Sequence, residues 1–392
     1  MSDKAPVIAG QSHADVLVIG GGVMGMWAAV KAADRGHGVT LVEARGLGAG
    51  ASGGLLGALM AHMPDRWNEK KQLQFDALVS LEPEIAALED RTGLPTGYRR
   101  SGRLVPLPKP HLRQIAERHS QEAANNWHQG RHRFFWNVHD KSPIGGQWPD
   151  AEFCSAGVVE DTFGARISPR RLLAALAARI RQLRKVTVIE GQRVKLLDAA
   201  VGYAELDDGA GISFGHVIVA GGYEAFPLLS NLGPDLPVPL GGPVKGQAAL
   251  LKMDLPHDYP LIYLDGLYIV PHEDGTVAIG STSEHEFVEP LSTDKLLDDL
   301  LVRARQLAPV LEDAPVIERW AGLRPRAVGR DPMVGCHPFA AKVVALTGGF
   351  KVSFGIAHLL ANAAIDAVEG RESALPPSFS VMHHISVAKE KA

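Results

Sequence analysis

Two apolar runs that end in glycine stand out along this chain of 392 residues. The first, Val16–Ile19, leads into Gly20-Gly21-Gly22, and the second is Val217–Gly222. A short apolar run bounded by glycine is typical of a buried parallel strand. Helical spacing over Met26–Asp34 and a further apolar run at Val39–Val42 complete a β-α-β order. The pattern predicts an α/β nucleotide-binding unit.

Apolar stripes and alternating runs predict the remaining elements. We expect helices over 68–90 with Gly93 after its end, over Pro110–Trp127, from Ser168-Pro169 onward, over 293–307 and over Gly355–Val368. We expect short strands at Val186–Glu190, Arg193–Leu197, Gly202–Leu206 and Ile212–Phe214, and an antiparallel sheet of Val244–Leu251, Leu261–Val270 and Val277–Ser281. Hairpin turns are predicted at Ser101-Gly102 and at Glu273-Asp274-Gly275, and a frayed tail over Val387–Ala392.

The order of these elements predicts two discontinuous domains. Asn231–Pro243 holds four prolines and is typical of a linker. We expect an α/β (α+β) two-domain fold with a Rossmann-like dinucleotide-binding domain of residues 14–66, 150–230 and 320–372. The antiparallel-sheet substrate domain is predicted to comprise residues 67–149 and 231–319.

Composition narrows the class of protein only slightly. Hydrophobic residues make up 46% and charged residues 21%, and a net charge of −4 gives no reason to expect nucleic acid or an anionic membrane as partner. We find no membrane span, no metal-binding motif, and no apolar core of a signal peptide in residues 1–14. Two cysteines, Cys154 and Cys336, are too few for a disulfide framework and fit a reducing compartment. We therefore expect a cytoplasmic protein.

The glycines after the first strand point to specific chemistry. Gly20, Gly22 and Gly25 form G-x-G-x-x-G, which permits a tight turn, close approach of a pyrophosphate, and close packing of helix on strand. The helix N-terminus adds N–H groups and a positive dipole end. Glu43 closes the second strand, where a carboxylate can accept hydrogen bonds from ribose hydroxyls. These residues predict a bound adenine dinucleotide and leave NAD and FAD open.

A glycine-dense loop follows Glu43. Residues 46–57 hold six glycines, a composition that excludes a helix interior. A flexible loop in solvent is one interpretation. The leucines and alanines of the loop favour the other, a buried loop whose backbone approaches the rest of a long cofactor.

Seven motifs now stand in order: Gly20–Gly25 with Glu43, Gly50–Gly57, Gly246-Gln247, Leu267–Pro271, Gly280-Ser281-Thr282, Trp320–Pro325 and Thr347–Phe350. With them the chain resembles the D-amino-acid oxidase family of flavoproteins, in its glycine oxidase and sarcosine oxidase branch, over almost its whole length. The resemblance implies FAD. It also implies non-covalent FAD, because neither cysteine stands where the sarcosine oxidase branch attaches its flavin.

The resemblance implies a set of cofactor contacts. The glycine turn would hold the pyrophosphate, Glu43 the ribose and the Val194 backbone the adenine, while Ser52 to Leu55 would line the ribityl chain and flavin ring. The full implied set is Gly20, Gly22, Val23, Met24, Gly25, Glu43, Ala44, Arg45, Ala51, Ser52, Gly53, Gly54, Leu55, Leu56, Val194, Ala220, Gly221, Gly348, Gly349, Phe350, Lys351 and Val352.

Three residues are implied at the substrate. Arg324 matches an arginine that grips the substrate carboxylate, for which a planar guanidinium is suited; a surface salt bridge is the alternative. Tyr268 matches a substrate-contacting tyrosine, with an ordinary sheet tyrosine as the alternative. Lys351 stands near the place of a second arginine, so the second substrate contact departs from the family, and a solvated loop lysine is the alternative.

The reaction implied by the resemblance is FAD-dependent oxidation of the C–N bond of a small amino acid or N-substituted amino acid. Hydride would pass from the α-carbon to flavin N5, and the imine would hydrolyse to an oxo acid plus amine or ammonia. Two other hypotheses stay open, namely the flavin subunit of a heteromeric amino-acid, opine or sarcosine dehydrogenase, and an oxidase of an amino-acid group on a modified nucleoside. The slightly negative net charge of the chain disfavours the hypothesis of a modified nucleoside as substrate. Homo-oligomerisation and a partner subunit both stay open, and His62 is either a site contact or a packed core histidine.

Overall fold

The computed structural model describes residues 12–145 and 147–391. The helices within these residues are α1 (Val23–Asp34), α2 (Glu69–Thr92), α3 (Pro110–Asn126), α4 (Pro169–Gln182), α5 (Ala225–Ser230), α6 (Lys295–Leu307), α7 (Ser353–Val368) and α8 (Val381–Glu390). The strands are β1 (Ser12–Ile19), β2 (Val39–Glu43), β3 (Ala58–Leu59), β4 (Arg103–Pro106), β5 (His128–Gln129), β6 (His132–Arg133), β7 (Trp136–His139), β8 (Val158–Asp161), β9 (Ala165–Arg166), β10 (Val186–Glu190), β11 (Val194–Asp198), β12 (Tyr203–Leu206), β13 (Gly211–Val219), β14 (Gly241–Lys252), β15 (Leu261–Leu264), β16 (Leu267–His272), β17 (Thr276–Gly280), β18 (Val316–Ala327), β19 (Met333–His337) and β20 (Ala340–Thr347).

The first sheet has a parallel centre in the order β10-β2-β1-β13-β20. Antiparallel strands β11, β12 and β19 extend it. Residues Val16–Ile19 of β1 are buried on both faces of the sheet, with Val16 and Val18 packed among α1, α4 and α7, and Leu17 and Ile19 packed near α5 and α8. Burial on both faces explains why this half of β1 is apolar without alternation, whereas the first half, which begins at Ser12, includes exposed polar residues. The α/β class is confirmed.

The second sheet runs in the order β18-β14-β17-β16-β15-β4-β8-β7. All of its pairs are antiparallel except β15 with β4. One face of the sheet packs on α6, and the other meets Leu55 and Leu56 of the glycine-dense loop. This second contact brings the loop between the two sheets.

Several predicted elements differ from the structure. Ser101-Gly102 makes no hairpin, since β4 pairs with β8 and β15, which lie far along the chain. Leu261–Val270 is two strands joined by a turn at Asp265-Gly266, both with positive φ, rather than one strand. The predicted turn at Glu273-Asp274-Gly275 does join β16 to β17. The predicted frayed tail is wrong up to Glu390, because α8 packs Val381, Ile385 and Ala388 against the first sheet; Ala392 lies outside the described residues.

The division into domains stays a prediction. Strand β8 belongs to the second sheet, although residues 150–230 were assigned to the dinucleotide-binding domain. Within the described part of the chain, none of the helices has the length and apolar character needed to cross a bilayer.

Candidate active site

A cavity of about 810 Å³ lies where the first sheet faces the second. Its wall includes the carboxyl ends of the parallel strands, at Ile19, Val42 and Leu346, together with Ala220 directly after β13. In α/β proteins, ligands bind at this edge of a parallel sheet. The volume lies in the range of ligand-binding cavities.

Most predicted site residues line this cavity. They are Gly20, Gly22, Val23, Met24, Glu43, Ala44, Arg45, Ala51, Ser52, Gly54, Leu55, Leu56, Val194, Ala220, Gly221, Tyr268, Arg324, Phe350, Lys351 and Val352. Four predicted glycines are not on the wall, although their chain neighbours are: Gly25, Gly53, Gly348 and Gly349. Folding therefore brings segments from both ends of the chain to one site, while the role of each residue stays a prediction.

The glycine turn leaves room for a phosphate group. Gly20 has a φ of +107°, and a Cβ there would lie 2.6 Å from the Ala220 carbonyl oxygen. A Cβ on Gly25 would lie 1.9 Å from the Gly20 carbonyl oxygen, so α1 packs directly on the turn. Gly22 precedes the first N–H groups of α1, and the Val23 N–H donates to Ser52 Oγ over 3.0 Å. Such a helix N-terminus, open to the cavity, fits a pyrophosphate.

The Glu43 carboxylate is held at the end of β2. Its Oε2 accepts from the Gly21 N–H at 2.7 Å and its Oε1 from the Arg45 N–H at 3.0 Å. The carboxylate lies on the cavity wall, where it fits the ribose of an adenine dinucleotide. Sequence reasoning missed the Arg193–Glu224 ion pair nearby, whose two residues also line the cavity. The position of Arg193 beside Val194 was the available signal.

The glycine-dense loop packs against the second sheet. His272, which is buried, donates from Nε2 to the Leu55 carbonyl oxygen at 3.1 Å, because a carbonyl oxygen only accepts. Burial lowers the pKa of His272, which keeps its ring neutral. A Cβ on Gly54 would lie 3.2 Å from Trp320, and one on Gly280 would lie 2.1 Å from Leu56. These contacts favour the buried-loop interpretation over a loop in solvent.

Arg324 lies on β18 with its guanidinium against Gly246 of β14. A Cβ on Gly246 would lie 1.9 Å from Arg324 Nη1, so only glycine leaves space for the guanidinium there. Nη1 donates to the Thr282 carbonyl oxygen at 3.2 Å. Burial lowers the pKa of Arg324 to about 10, so it is charged at neutral pH. Within the described residues no carboxylate lies within 4.0 Å of it, unlike a salt-bridged surface arginine.

Further polar side chains surround Arg324. Burial raises the pKa of Tyr268 to about 12, and its ring centre lies 4.9 Å from that of Tyr263. The pKa of Lys351 is lowered to about 8. Burial is the main cause, and repulsion from the positive charges of Arg324 and Arg326 adds to it. Arg326 lies two residues along β18 from Arg324 and therefore points to the same face of the strand, but it does not line the cavity.

His62 and the two cysteines are the remaining candidates. His62 lines the cavity, and burial lowers its pKa. Cys154 is buried, and Cys336 is exposed. Neither cysteine lies on the cavity wall.

The first sheet presents a glycine turn and Glu43 to the cavity, and the second sheet presents a charged arginine to it. This combination defines a dinucleotide-dependent oxidoreductase. The model of the FAD dependent oxidoreductase family (DAO) matches residues 15–363. The chain belongs to this family.

The relatives agree with this assignment. The chain is 33% identical to glycine oxidase of Pseudomonas aeruginosa over 162 residues, which span 41% of the chain and 44% of that protein. It is 27% identical to glycine oxidase of Geobacillus kaustophilus over 388 residues, 95% of the chain and 97% of that protein. The crystal structure of the Geobacillus kaustophilus enzyme aligns with a TM-score of 0.83 at 22% identity, covering 95% of this chain and 99% of that one. The structure of iminodiacetate oxidase from Chelativorans sp. BNC1 aligns with a TM-score of 0.80 at 22% identity, covering 93% and 98%.

Proposed function

We propose that this FAD-dependent enzyme oxidises the C–N bond of a small amino acid or N-substituted amino acid. The observation that carries the proposal is Arg324, a charged guanidinium on the cavity wall without a carboxylate partner in the described residues. A planar guanidinium binds a carboxylate through two charge-assisted hydrogen bonds. The relatives named glycine oxidase and iminodiacetate oxidase support an amino-acid substrate.

Each residue has a defined task in this proposal. Arg324 grips the carboxylate, which orients the α-carbon, and Tyr268 borders the substrate on the second sheet. Lys351 adds a second positive charge to the wall of the cavity. When bound, FAD supplies the two-electron acceptor. Oxidation converts the substrate amine to an imine, which water then hydrolyses to an oxo acid and an amine or ammonia.

The proposal includes non-covalent FAD and a cytoplasmic location. Both cysteines are unpaired and lie off the cavity wall, which supports a non-covalent cofactor and a reducing compartment. The Val23 N–H, Ser52 and Glu43 are the groups that fit the cofactor by hydrogen bonding.

The test is anaerobic bleaching of the bound flavin by glycine, sarcosine, iminodiacetate, and D- and L-alanine. We expect at least one of these amines to bleach it, and Arg324→Ala to raise the half-saturating concentration about 100-fold or more, as expected for loss of a charge-assisted bidentate contact. Arg319→Ala is the control, because Arg319 lies on the same strand but pairs with Asp298 at the surface. If no amine bleaches the flavin, or if both variants behave alike, the proposal is wrong.

A further inference from the structure

A polar cluster, buried except for its exposed member Asp294, lies beside Arg324, and none of its residues lines the cavity. This Glu284 cluster comprises Lys245, Gln247, Thr282, Glu284 and Asp294. Lys245 and Gln247 are only 2% and 0% exposed. The Lys245 ammonium lies 3.5 Å from Glu284 Oε2 and 3.1 Å from Asp294 Oδ2.

Gln247 joins the two carboxylates of the cluster. Its Nε2 donates to Glu284 Oε1 at 3.0 Å and to Asp294 Oδ1 at 2.8 Å, and its Oε1 accepts from the Asp294 N–H at 2.8 Å. Asp294 also caps α6 by accepting from the Leu296 N–H at 3.0 Å. Burying charges is costly, and hydrophobic residues of similar volume often stabilise a fold as well. Stability alone therefore gives a weak reason for this arrangement.

Thr282 connects the cluster to Arg324. Its hydroxyl donates to Glu284 Oε1 and accepts from the Gln247 N–H at 2.8 Å. Its carbonyl oxygen accepts from Arg324 Nη1, the one hydrogen bond that Arg324 makes through its side chain among the described residues. Backbone hydrogen bonds of 3.0 and 2.9 Å between Lys245 and Glu284 hold the segment against β14. The Glu284 carboxylate therefore accepts one of the hydrogen bonds that hold Thr282, the residue whose carbonyl oxygen meets Arg324.

Side chains along β14 point alternately to opposite faces of the sheet, which keeps the Glu284 cluster apart from the Arg324 guanidinium. Lys245 and Gln247 point to one face of the strand and Gly246 to the other. The guanidinium packs over Gly246, while the Glu284 cluster occupies the opposite face. Thr282 contacts both the Glu284 carboxylate and the Arg324 guanidinium, so it connects the cluster to the guanidinium.

We propose that Glu284 is a positioning residue for the carboxylate site. It acts through Thr282 to hold the Arg324 guanidinium where its remaining N–H groups meet the substrate carboxylate. Lys245 pairs with the Glu284 carboxylate and so offsets part of the cost of burying it. This inference rests on the proposed role of Arg324.

The first experiment uses the FAD-loaded Glu284→Gln variant. Lys245 keeps its pair with Asp294 in this variant, so we expect the fold to be retained. We expect KM and the Kd of glycolate, a carboxylate without an amino group whose binding is followed by the flavin absorbance, to rise about 10-fold, because the carboxamide lacks the charge and one of the acceptor oxygens that Lys245, Gln247 and Thr282 share. The kcat should stay within about twofold, because the carboxylate contact is shared by ground state and transition state.

Asp298→Asn is the matched control. Asp298 lies on α6 and pairs with Arg319 of β18, the strand that carries Arg324, so the change removes an acidic charge without touching Thr282. Its position at the surface leaves the Thr282 carbonyl untouched, and we expect wild-type KM and glycolate Kd. Equal effects of Glu284→Gln and Asp298→Asn would overturn the proposal.

A local pair of variants keeps the proposal testable if Glu284→Gln does not fold. Thr282→Val removes the hydroxyl and should raise the glycolate Kd, whereas Thr282→Ser restores the hydroxyl and should bring the Kd back. Failure of Thr282→Ser to improve on Thr282→Val overturns the positioning role. Arg324→Ala distinguishes failure of the proposed function from failure of the positioning role of Glu284. If it leaves glycolate binding unchanged, the proposed function fails; if it abolishes binding while Glu284→Gln has no effect, only the positioning role fails.

Discussion

The space over Gly246 leads to the sharpest prediction, which is the effect of Gly246→Ala. The new Cβ would lie 1.9, 2.1 and 2.2 Å from Nη1, Cζ and Nη2 of Arg324. The guanidinium must move by about 1.5 Å to restore ordinary contact distances. The fold can absorb this movement, because the atoms that collide are the far end of a flexible side chain. Gly246→Ala should therefore damage the carboxylate site and leave the protein folded.

The expected loss follows from that displacement. A misplacement of about 1 Å at a positioning group can lower the rate about 100-fold, which corresponds to about 2.7 kcal/mol in kcat/KM. The assay is the steady-state oxidation of the best amino acid from the bleaching panel, together with the glycolate Kd. The thermal unfolding midpoint of the loaded protein should change by only a few degrees.

Gly242→Ala on the same strand is the control, because a Cβ there would have no atom within 4 Å. We expect wild-type kinetics for Gly242→Ala. A Gly246→Ala enzyme with wild-type KM and glycolate Kd would refute the view that Arg324 needs its present place. Loss of FAD or of the fold in Gly246→Ala alone would show that the glycine serves stability instead.

Three further predictions concern the charges and the cofactor. The amine of Lys351, with its pKa lowered to about 8, loses its charge as pH rises through 8. The glycolate Kd should therefore rise above pH 8. In Lys351→Met the plot of glycolate Kd against pH should lack this rise. Ser52→Ala leaves the Val23 N–H without its acceptor and should raise the FAD Kd about fivefold, measured by fluorescence of released FAD; an unchanged Kd would remove Ser52 from the cofactor site. Asp161→Asn breaks a buried ion pair of 2.6 Å with Arg103 and should lower the free energy of unfolding in urea by about 3 kcal/mol, whereas a loss below about 1 kcal/mol would contradict a charged buried pair.

Local spacing accounts for what could be predicted about the dinucleotide site. The strand, turn and helix around Gly20 and Gly25 interact within one short segment, so their contacts are encoded in adjacent residues. Glu43 follows from the same unit, since it ends the next parallel strand. The glycine turn and Glu43 accordingly reach the cavity as expected.

Contacts between segments that are distant in sequence account for the errors in the predicted elements. The hairpin at Ser101-Gly102 failed because β4 finds partners far along the chain, which no local turn signal reveals. The tail beyond residue 380 forms α8 because a packed sheet face is available to cover its apolar side. Propensity alone would leave so short a helix marginal in water.

The amino-acid sequence by itself determined the βαβ unit and an adenine dinucleotide as the class of ligand, because periodicity and local motifs are properties of the chain, and its resemblance to the D-amino-acid oxidase family implied FAD and the candidate Arg324. Only the tertiary structure decided what Arg324 rests on. Gly246 beneath its guanidinium and Glu284 behind Thr282 are separated from it in sequence, and they meet it only through the pairing of β14 with β18 and of Lys245 with Glu284. Those contacts depend on register between strands, and register is set by the burial of whole sheet faces.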